Sequence, residues 1–163
     1  MALRKKQTGL RSSIKNVNDM QVALMPDQVG QGWDFIIPEN VQLTEDRPYK
    51  YREVKAYALL APETKKQAQL LIVLFDYGDD ETAQQAFKDI GKGLESEMPK
   101  RPGVGDDSIL WELDMKPMVR MKIAAMRKGS WLVIMTAWLF QDYEVEDQWV
   151  KTLLERQLAR IVF

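Results

Sequence analysis

The chain has 163 residues, 45% of them hydrophobic, and its 23 basic and 24 acidic residues leave a formal net charge of −1. This length and composition are typical of one globular domain. Cysteine and histidine are both absent, which excludes disulfides, thiolate chemistry, histidine-based catalytic triads and the zinc sites built from these residues. Chemistry based on carboxylates, lysine or tyrosine stays open, as do metals with oxygen ligands.

The first 20 residues form a basic segment. It carries five basic residues against Asp19, a local net charge of +4, so the rest of the chain carries about −5. Because the segment has few apolar residues and no sustained period, we predict a flexible or partner-ordered arm at residues 1–20 and a single domain at residues 21–163. The segment lacks the apolar core of a secretory signal. We expect a cytoplasmic protein if Met1 is the native start, and a cell-envelope protein if the N-terminus is processed.

The next part of the chain predicts strands. Turn-forming residues surround Trp33 and precede a short apolar run at residues 34–37. Two longer runs, at residues 54–60 and 69–77, are separated by the polar sequence PETKKQ. Their β-branched and aromatic content and the turn-forming break between them favour a hairpin.

The period changes at residue 79 and predicts a helix. Asp79 or Asp80 can serve as the N-cap, and Glu81 follows in the first turn, where the helix dipole favours anions. Apolar residues then recur at i, i+4, i+7 and i+11, as one stripe of an amphipathic helix: Ala83, Phe87, Ile90 and Leu94. Two glycines and Pro99 weaken and then end the helix.

Three further strands are predicted at residues 108–113, 119–127 and 131–140, joined by short connections typical of hairpins. The last run is apolar on both faces, which predicts a central strand with at least partial cover on both sides. At ten residues it is about half of the ~20 that a membrane-spanning helix needs. A closing amphipathic helix is predicted from about residue 144 to residue 160. The order β-β-β-α-β-β-β-α indicates an α+β fold, with two main helices packed on an antiparallel sheet of about six strands.

Three stretches within this order resemble a known group of domains. They are FDYGDDETAQQAF at the start of the first main helix, PGVGDDSILWE in the following loop, and MRKGSWLVIMTA in the last hairpin. They are similar to the aspartate-rich cap, the Gly-Asp loop and the Arg-Lys-Gly hairpin of Mog1/PsbP-like domains and of related bacterial sensor and cell-envelope domains. The resemblance covers residues 28–163. It implies a mostly non-enzymatic domain that binds ligands or partner proteins.

The glycine-rich loop at residues 103–107 is the first candidate site. Gly103 and Gly105 permit left-handed backbone, and Asp106 or Asp107 can cap neighbouring amides, so a turn that leads into a strand explains the loop. The loop lacks the Lys and Ser/Thr of a phosphate-binding loop and precedes a strand rather than a helix. A cation with oxygen ligands is the alternative, although Ca²⁺ needs six or more oxygens. The loop could share such a cation with nearby acids: Asp76, Asp79 or Glu81.

Two groups of charged residues have alternative interpretations as well. Four acids have two possible interpretations: Asp76, Asp79, Asp80 and Glu81. They could be paired catalytic carboxylates, or they could form a helix cap with a solvated corner, and the helix cap is the favoured interpretation. Five basic residues also have two possible interpretations: Lys116, Arg120, Lys122, Arg127 and Lys128. They could lie on a solvated face of the sheet, or they could form a surface that binds an anionic partner or lipid headgroups. Three tryptophans are too many for one small core, and an exposed one would indicate a contact surface: Trp33, Trp111 and Trp138.

The sequence therefore predicts a non-enzymatic accessory subunit that docks on a larger protein assembly, at a membrane surface in the PsbP-like case. The residues predicted to bind the partner are Arg4, Lys5, Lys6, Arg11, Lys15, Arg120 and Lys122. The alternative is a small-ligand-binding or sensor domain that uses the cleft between sheet and helices, and a carboxylate-dependent enzyme is third. A pocket lined by Trp and Met favours the alternative, whereas a flat apolar face with a basic rim favours docking. No catalytic residue, metal or cofactor is predicted, and nucleic acid is not expected as a partner because no aromatic residue interrupts the basic arm.

Overall fold

The computed structural model describes residues 22–36, 49–62, 68–115, 119–140 and 143–161, so the predicted arm lies outside the described residues. Within these ranges the strands are β1 (Asp34–Ile36), β2 (Glu53–Leu60), β3 (Ala68–Asp76), β4 (Asp107–Met115), β5 (Val119–Lys128) and β6 (Trp131–Phe140). The helices are the short α1 (Pro26–Val29) and the two main helices, α2 (Asp80–Gly93) and α3 (Asp147–Arg160), and a 3-10 turn follows α2 at Glu95–Glu97. The predicted α+β fold and its order of elements are confirmed.

The described strands form one six-stranded sheet in the order β1-β2-β3-β6-β5-β4, and every neighbouring pair is antiparallel. Strand β6 is central, between β3 and β5, as its apolar sequence predicts. Helix α2 connects β3, in the middle of the sheet, to β4 at its edge. The chain then returns through two hairpins until β6 pairs with β3.

One face of the sheet is closed by α3 and by the segment at residues 22–33. Because successive side chains of a strand point to opposite faces, the residues beneath α3 alternate along each strand. They are almost completely excluded from solvent, each at most 1% exposed: Leu70, Ile72 and Leu74 of β3, and Val133, Met135 and Leu139 of β6. Leu153 and Leu154 of α3 pack into the same core. We call this side of the sheet the α3 face.

The opposite side, the α2 face, has its own core of Phe75, Ala125 and Leu132 beneath Ala83 and Phe87 of α2. Helix α2 begins where its sequence predicts, because the side chain of Asp79 accepts the amide hydrogen of Thr82 at 2.7 Å. The apolar stripe of the helix therefore packs against one end of the sheet.

Cover of the sheet is unequal. On β6, the α3 face buries Val133, Met135, Ala137 and Leu139. The α2 face buries only Leu132 of this strand, while its other residues are half-buried: Ile134, Thr136, Trp138 and Phe140. The predicted cover on both sides is thus complete on one side and partial on the other. The sequence predicted that three tryptophans would not all fit in one core. Trp33 is buried, and Trp111 and Trp138 are half-buried.

A buried polar network joins α3 to the residues before α1. The hydroxyl of Tyr57 accepts the amide hydrogen of Leu24 at 3.0 Å and donates to the side-chain oxygen of Gln157. The side-chain nitrogen Nε2 of Gln157 donates to the backbone carbonyl of Val22 at 2.6 Å. Burial raises the pKa of Tyr57, so the phenol stays protonated and keeps its donor role. The network positions the first described residues on the α3 face.

Helix α3 begins three residues later than its sequence pattern predicts. The carbonyl of Tyr143 accepts from Arg120 at 2.9 Å, and the carbonyl of Val145 accepts from Lys122 at 2.7 Å. These bonds to β5 draw residues 143–146 along the sheet, and the helix starts at Asp147. No helix among the described residues is long and apolar enough to cross a membrane.

Candidate functional site

The glycine-rich loop at residues 103–107 leads directly into β4, as predicted. Gly103 and Gly105 have φ values of 75° and 68°. A β-carbon on Gly105 would lie 2.6 Å from the carbonyl oxygen of Arg127, so only glycine allows the loop to approach β5 so closely. The amide of Asp106 donates to the same oxygen at 2.8 Å. The loop is therefore held against the end of β5.

The two carboxylates of this loop bind the end of β5 and the first residue of the β5–β6 turn rather than the loop's own amides. Asp107 lies opposite Arg127 in the strand register and accepts from its Nε at 2.9 Å. Asp106 accepts the amide hydrogen of Gly129 at 2.9 Å and the ammonium of Lys128 at 3.2 Å. The bond from Gly129 and the nearby positive charges lower the pKa of Asp106. The prediction of local capping was wrong about the partner, because the antiparallel register brings a neighbouring turn closer.

Asp76 is the one buried carboxylate among the described residues, with 1% of its side chain exposed. It accepts the amide of Gly78 at 2.9 Å and the hydroxyl of Ser130 at 3.0 Å, and it forms an ion pair with Arg52. Burial acts to raise the pKa of Asp76, but these hydrogen bonds outweigh it and hold the pKa below its ordinary value. The carboxylate is thus a charged structural anchor at the end of β3.

The other acids of this region have separate partners. Asp79 caps α2 through Thr82, and these bonds lower the pKa of Asp79. Asp80 and Glu81 are exposed in the first turn of the helix. No cluster of three or more acids that could hold a metal ion occurs in the described part of the chain. Asp79, Asp80 and Glu81 fit the interpretation as a helix cap with a solvated corner. The interpretation was wrong for Asp76, which is buried and bound by Gly78, Ser130 and Arg52.

The basic residues predicted on one surface divide between the two sides of the sheet. Arg120 pairs with Glu144 at 2.8 Å, and Lys122, only 9% exposed, pairs with Asp147 at 2.9 Å. Both attach the start of α3 to β5. Arg127 lies on the α2 face, by its position two residues from Ala125, and binds the acidic loop. Lys116 and the five basic residues of the arm lie outside the described residues: Arg4, Lys5, Lys6, Arg11 and Lys15.

An open groove with a volume of about 370 Å³ lies between α2 and the partly covered side of the sheet. Eight residues line it: Ala86, Asp89 and Ile90 of α2, Trp111 of β4, Leu132 and Ile134 of β6, and Tyr49 and Tyr77. Ala86, Tyr77 and Leu132 are buried at its base, and the half-buried Ile90, Trp111 and Ile134 form its sides. Within the part of the chain that the structure describes, α2 covers only part of this face, and the groove lies beside it.

The polar edge of the groove is a pair of side chains. The hydroxyl of Tyr49 donates to Oδ2 of Asp89, and Nε2 of Gln85 donates to Oδ1 at 3.2 Å. The bond from Tyr49, with smaller contributions from Gln85 and the charge of Lys92, lowers the pKa of Asp89. The same bond raises the pKa of Tyr49. At neutral pH the edge therefore combines an ionised carboxylate with a protonated phenol.

The aromatic lining is held by further ring contacts. Tyr77 stacks on Phe75 with ring centroids 6.0 Å apart, and Phe75 lies 5.6 Å from the ring of Tyr51. Phe75 is fully buried beneath α2. Tyr77 is thus fixed by a packed aromatic row, and the base of the groove is formed before any ligand enters.

The sequence indicated a cleft between sheet and helices but not the residues that form it. The apolar stripe of α2 includes Ile90, which lines the groove, and Asp89 is adjacent to it at the polar border of the stripe. The position of Asp89 at the border of the stripe was the one feature of the sequence that could have indicated a polar residue of the groove. Tyr49 could not be found in this way, since 40 residues separate it from Asp89 and only the folded chain joins them. From the sequence we expected a ligand pocket to be lined by Trp and Met, whereas this groove is lined by Trp and Tyr.

The sequence matches no protein-family model and no curated protein. The geometry of the groove and the charges around it are therefore the basis for a functional assignment. The resemblance to Mog1/PsbP-like domains stays a hypothesis.

Proposed function

We propose that this protein is a non-catalytic domain that binds a small, largely apolar ligand in the groove between α2 and the sheet. The observation that carries the proposal is the lining of the groove, in which aliphatic and aromatic side chains surround one polar pair, Tyr49 and Asp89. Ligand sites in proteins commonly have this composition, since apolar walls supply affinity and a few polar groups fix orientation.

The size of the groove supports a small ligand. Its volume of about 370 Å³ lies near the lower end of the roughly 300–1,000 Å³ that is usual for ligand pockets. One aromatic ring with a short substituent suits this space. Leu132 and Ala86 at the base would bury the ring, and Trp111 would cover one side of it.

The partners of the carboxylates support binding rather than catalysis. Asp76 and Asp106 are ionised and held by guanidinium, ammonium, hydroxyl or amide groups. Asp89 lies in the groove, but its neighbours Tyr49 and Gln85 stabilise its charged form. A general acid needs a raised pKa, and a strong general base needs one near neutrality. The resemblance to domains that are mostly non-enzymatic agrees with this proposal.

Calorimetric titration of the intact chain with small aromatic compounds tests the proposal. Trp111→Ala removes one wall of the groove and should weaken binding roughly tenfold, because an aromatic contact and its buried area contribute on the order of 1–2 kcal/mol. Trp138→Ala is the matched control, since Trp138 is also half-buried on this side of the sheet but does not line the groove.

Equal weakening by both substitutions would place the ligand elsewhere on the sheet. Failure of the unsubstituted protein to bind any aromatic compound at millimolar concentration would contradict the proposal itself.

Docking on a larger assembly is a second candidate function, and the charge distribution of the sequence favours it. Residues 1–20 carry a net charge of +4 beside a remainder of about −5. Arg120 and Lys122 are already bound to carbonyl and carboxylate oxygens at the start of α3, so they would contribute little. The proposed contact would depend on the arm: Arg4, Lys5, Lys6, Arg11 and Lys15.

A further inference from the structure

We infer that the ligand of the groove is an organic cation, an amine or quaternary ammonium group attached to an apolar body. The inference rests on the proposed function, because it names the ligand class of the same groove. Three features carry it: the charge of the lining, its aromatic rings, and the remaining hydrogen-bonding capacity of Asp89.

Asp89 is the only charged side chain among the described residues that line the groove. The other seven are aliphatic or aromatic, and two of these are phenols. An anion placed beside Asp89 would be repelled while it also lost water, and a neutral ligand could gain a hydrogen bond to the carboxylate but no attraction between opposite charges. A cation would gain from its charge at the open edge, where its hydration need not be lost entirely.

The aromatic residues strengthen this preference. Tyr49, Tyr77 and Trp111 each present a ring to the groove lining. A cation over the face of a Trp or Tyr ring is attracted by the quadrupole of the ring, by roughly 0.5–2 kcal/mol, and sites for quaternary ammonium groups combine several such rings. Aromatic rings around one carboxylate are the arrangement that this chemistry requires.

Asp89 can still accept hydrogen bonds from a protonated amine, whereas a quaternary ammonium group has no N–H and would be attracted to the carboxylate by charge alone. A carboxylate has about four acceptor positions, and here one bond from Tyr49 and one from Gln85 are in place, on different oxygens. These two bonds hold the carboxylate at the edge of the groove. Lys92 acts on Asp89 through its charge rather than through a hydrogen bond, and because Lys92 is exposed, salt and water screen that competing charge.

Calorimetric or NMR titration of the intact chain with three compounds of similar size tests the inference: benzyltrimethylammonium, benzyl alcohol and phenylacetate. We expect benzyltrimethylammonium to bind roughly tenfold more tightly than benzyl alcohol, and phenylacetate to bind most weakly. Asp89→Asn should weaken binding of the cation roughly five- to tenfold and leave binding of the alcohol unchanged. Glu155→Gln, at an exposed position on α3, removes the same charge outside the groove and should change neither.

Tyr49→Phe is a second variant that keeps the ring and the charge of Asp89, so the preference for the cation should persist in it. Equal affinities for the cation and the alcohol, together with no effect of Asp89→Asn, would overturn the inference and leave the apolar groove as a binding site. Tightest binding of phenylacetate would also overturn it. If none of the three compounds binds, the proposed function fails together with the inference.

Discussion

Both faces of the sheet carry many apolar residues, but the two faces are covered differently. On β3, Leu70 points to the α3 face and is 0% exposed, whereas its neighbour Leu71 points to the α2 face and is half-buried. Both are leucines in the same strand, and their propensities and chain positions are nearly identical. The helix above each residue therefore decides how much of its side chain is removed from water.

The α3 face is closed because several kinds of contact act on the same helix. Trp149 of α3 packs against Trp33 with ring centroids 5.8 Å apart and donates from Nε1 to the carbonyl of Val29 at 3.2 Å. The network of Tyr57 and Gln157 adds hydrogen bonds beneath. On the α2 face, Tyr49 reaches α2 through its exposed bond to Asp89. The α3 face is thus held by several kinds of contact, and the incompletely covered α2 face contains the groove where we propose that a ligand binds.

The largest expected effect comes from truncating adjacent leucines of β3. Leu70→Ala should lower the free energy of unfolding by roughly 3–4 kcal/mol, because the closed α3 face cannot collapse around the cavity. Leu71→Ala should cost roughly 1–2 kcal/mol, since less buried area is lost. Urea denaturation of the two variants measures the difference. Equal losses would mean that both faces are packed to the same degree, and the comparison between them would be wrong.

A smaller effect is expected at the start of α3, where Asp147 accepts from Lys100 at 2.6 Å and from Lys122 at 2.9 Å. These bonds lower the pKa of Asp147 below its ordinary value of 3.8. A lowered pKa in the folded state stabilises the protein above about pH 4, and this contribution is lost as the pH falls through the folded pKa. Asp147→Asn should therefore cost roughly 0.5–1 kcal/mol at pH 7, since the group is partly exposed.

The same substitution should make the loss of stability below pH 4 shallower. Urea denaturation at pH 7, 4 and 3 measures this dependence. Glu155→Gln, at an exposed position of α3, controls for the removal of one negative charge. An unchanged pH dependence in Asp147→Asn would mean that ion pairs do not contribute to closing the α3 face.

The smallest effect on stability is expected from removing the basic arm. Deleting residues 1–18 should change the melting temperature by less than about 2 °C, because a segment with so few apolar residues cannot bury enough surface to stabilise either face. The deletion should abolish co-sedimentation with anionic lipid vesicles, and the intact chain should co-sediment less as salt rises to physiological levels, where the screening length is about 8 Å. A large drop in melting temperature would show that the arm packs on one of the two faces. Unchanged co-sedimentation would mean that the arm does not bind anionic lipid surfaces.

Local patterns in the sequence were sufficient for the elements and their order. Alternating and continuous apolar runs predicted the strands, and the stripe through Phe87 and Ile90 predicted α2 with its cap at Asp79 or Asp80, of which the structure shows Asp79. These features depend on residues that are only a few positions apart in the sequence. Their interactions form within a single helix or strand, so they can be predicted without knowing the rest of the fold. The central place of β6 followed in the same way, from its apolar residues on both faces.

Tertiary structure decided which side chains meet. The basic residues Arg120 and Lys122 lie in a strand pattern that also suits a free surface, and only the return of α3 over β5 gives them Glu144 and Asp147 as partners. Tyr57 and Gln157 bond across 100 residues of sequence, and Tyr49 and Asp89 across 40. Contacts at such separations depend on strand register and on where each helix lies. The unequal cover of the sheet, and the groove that results from it, are consequences of packing that no local pattern contains.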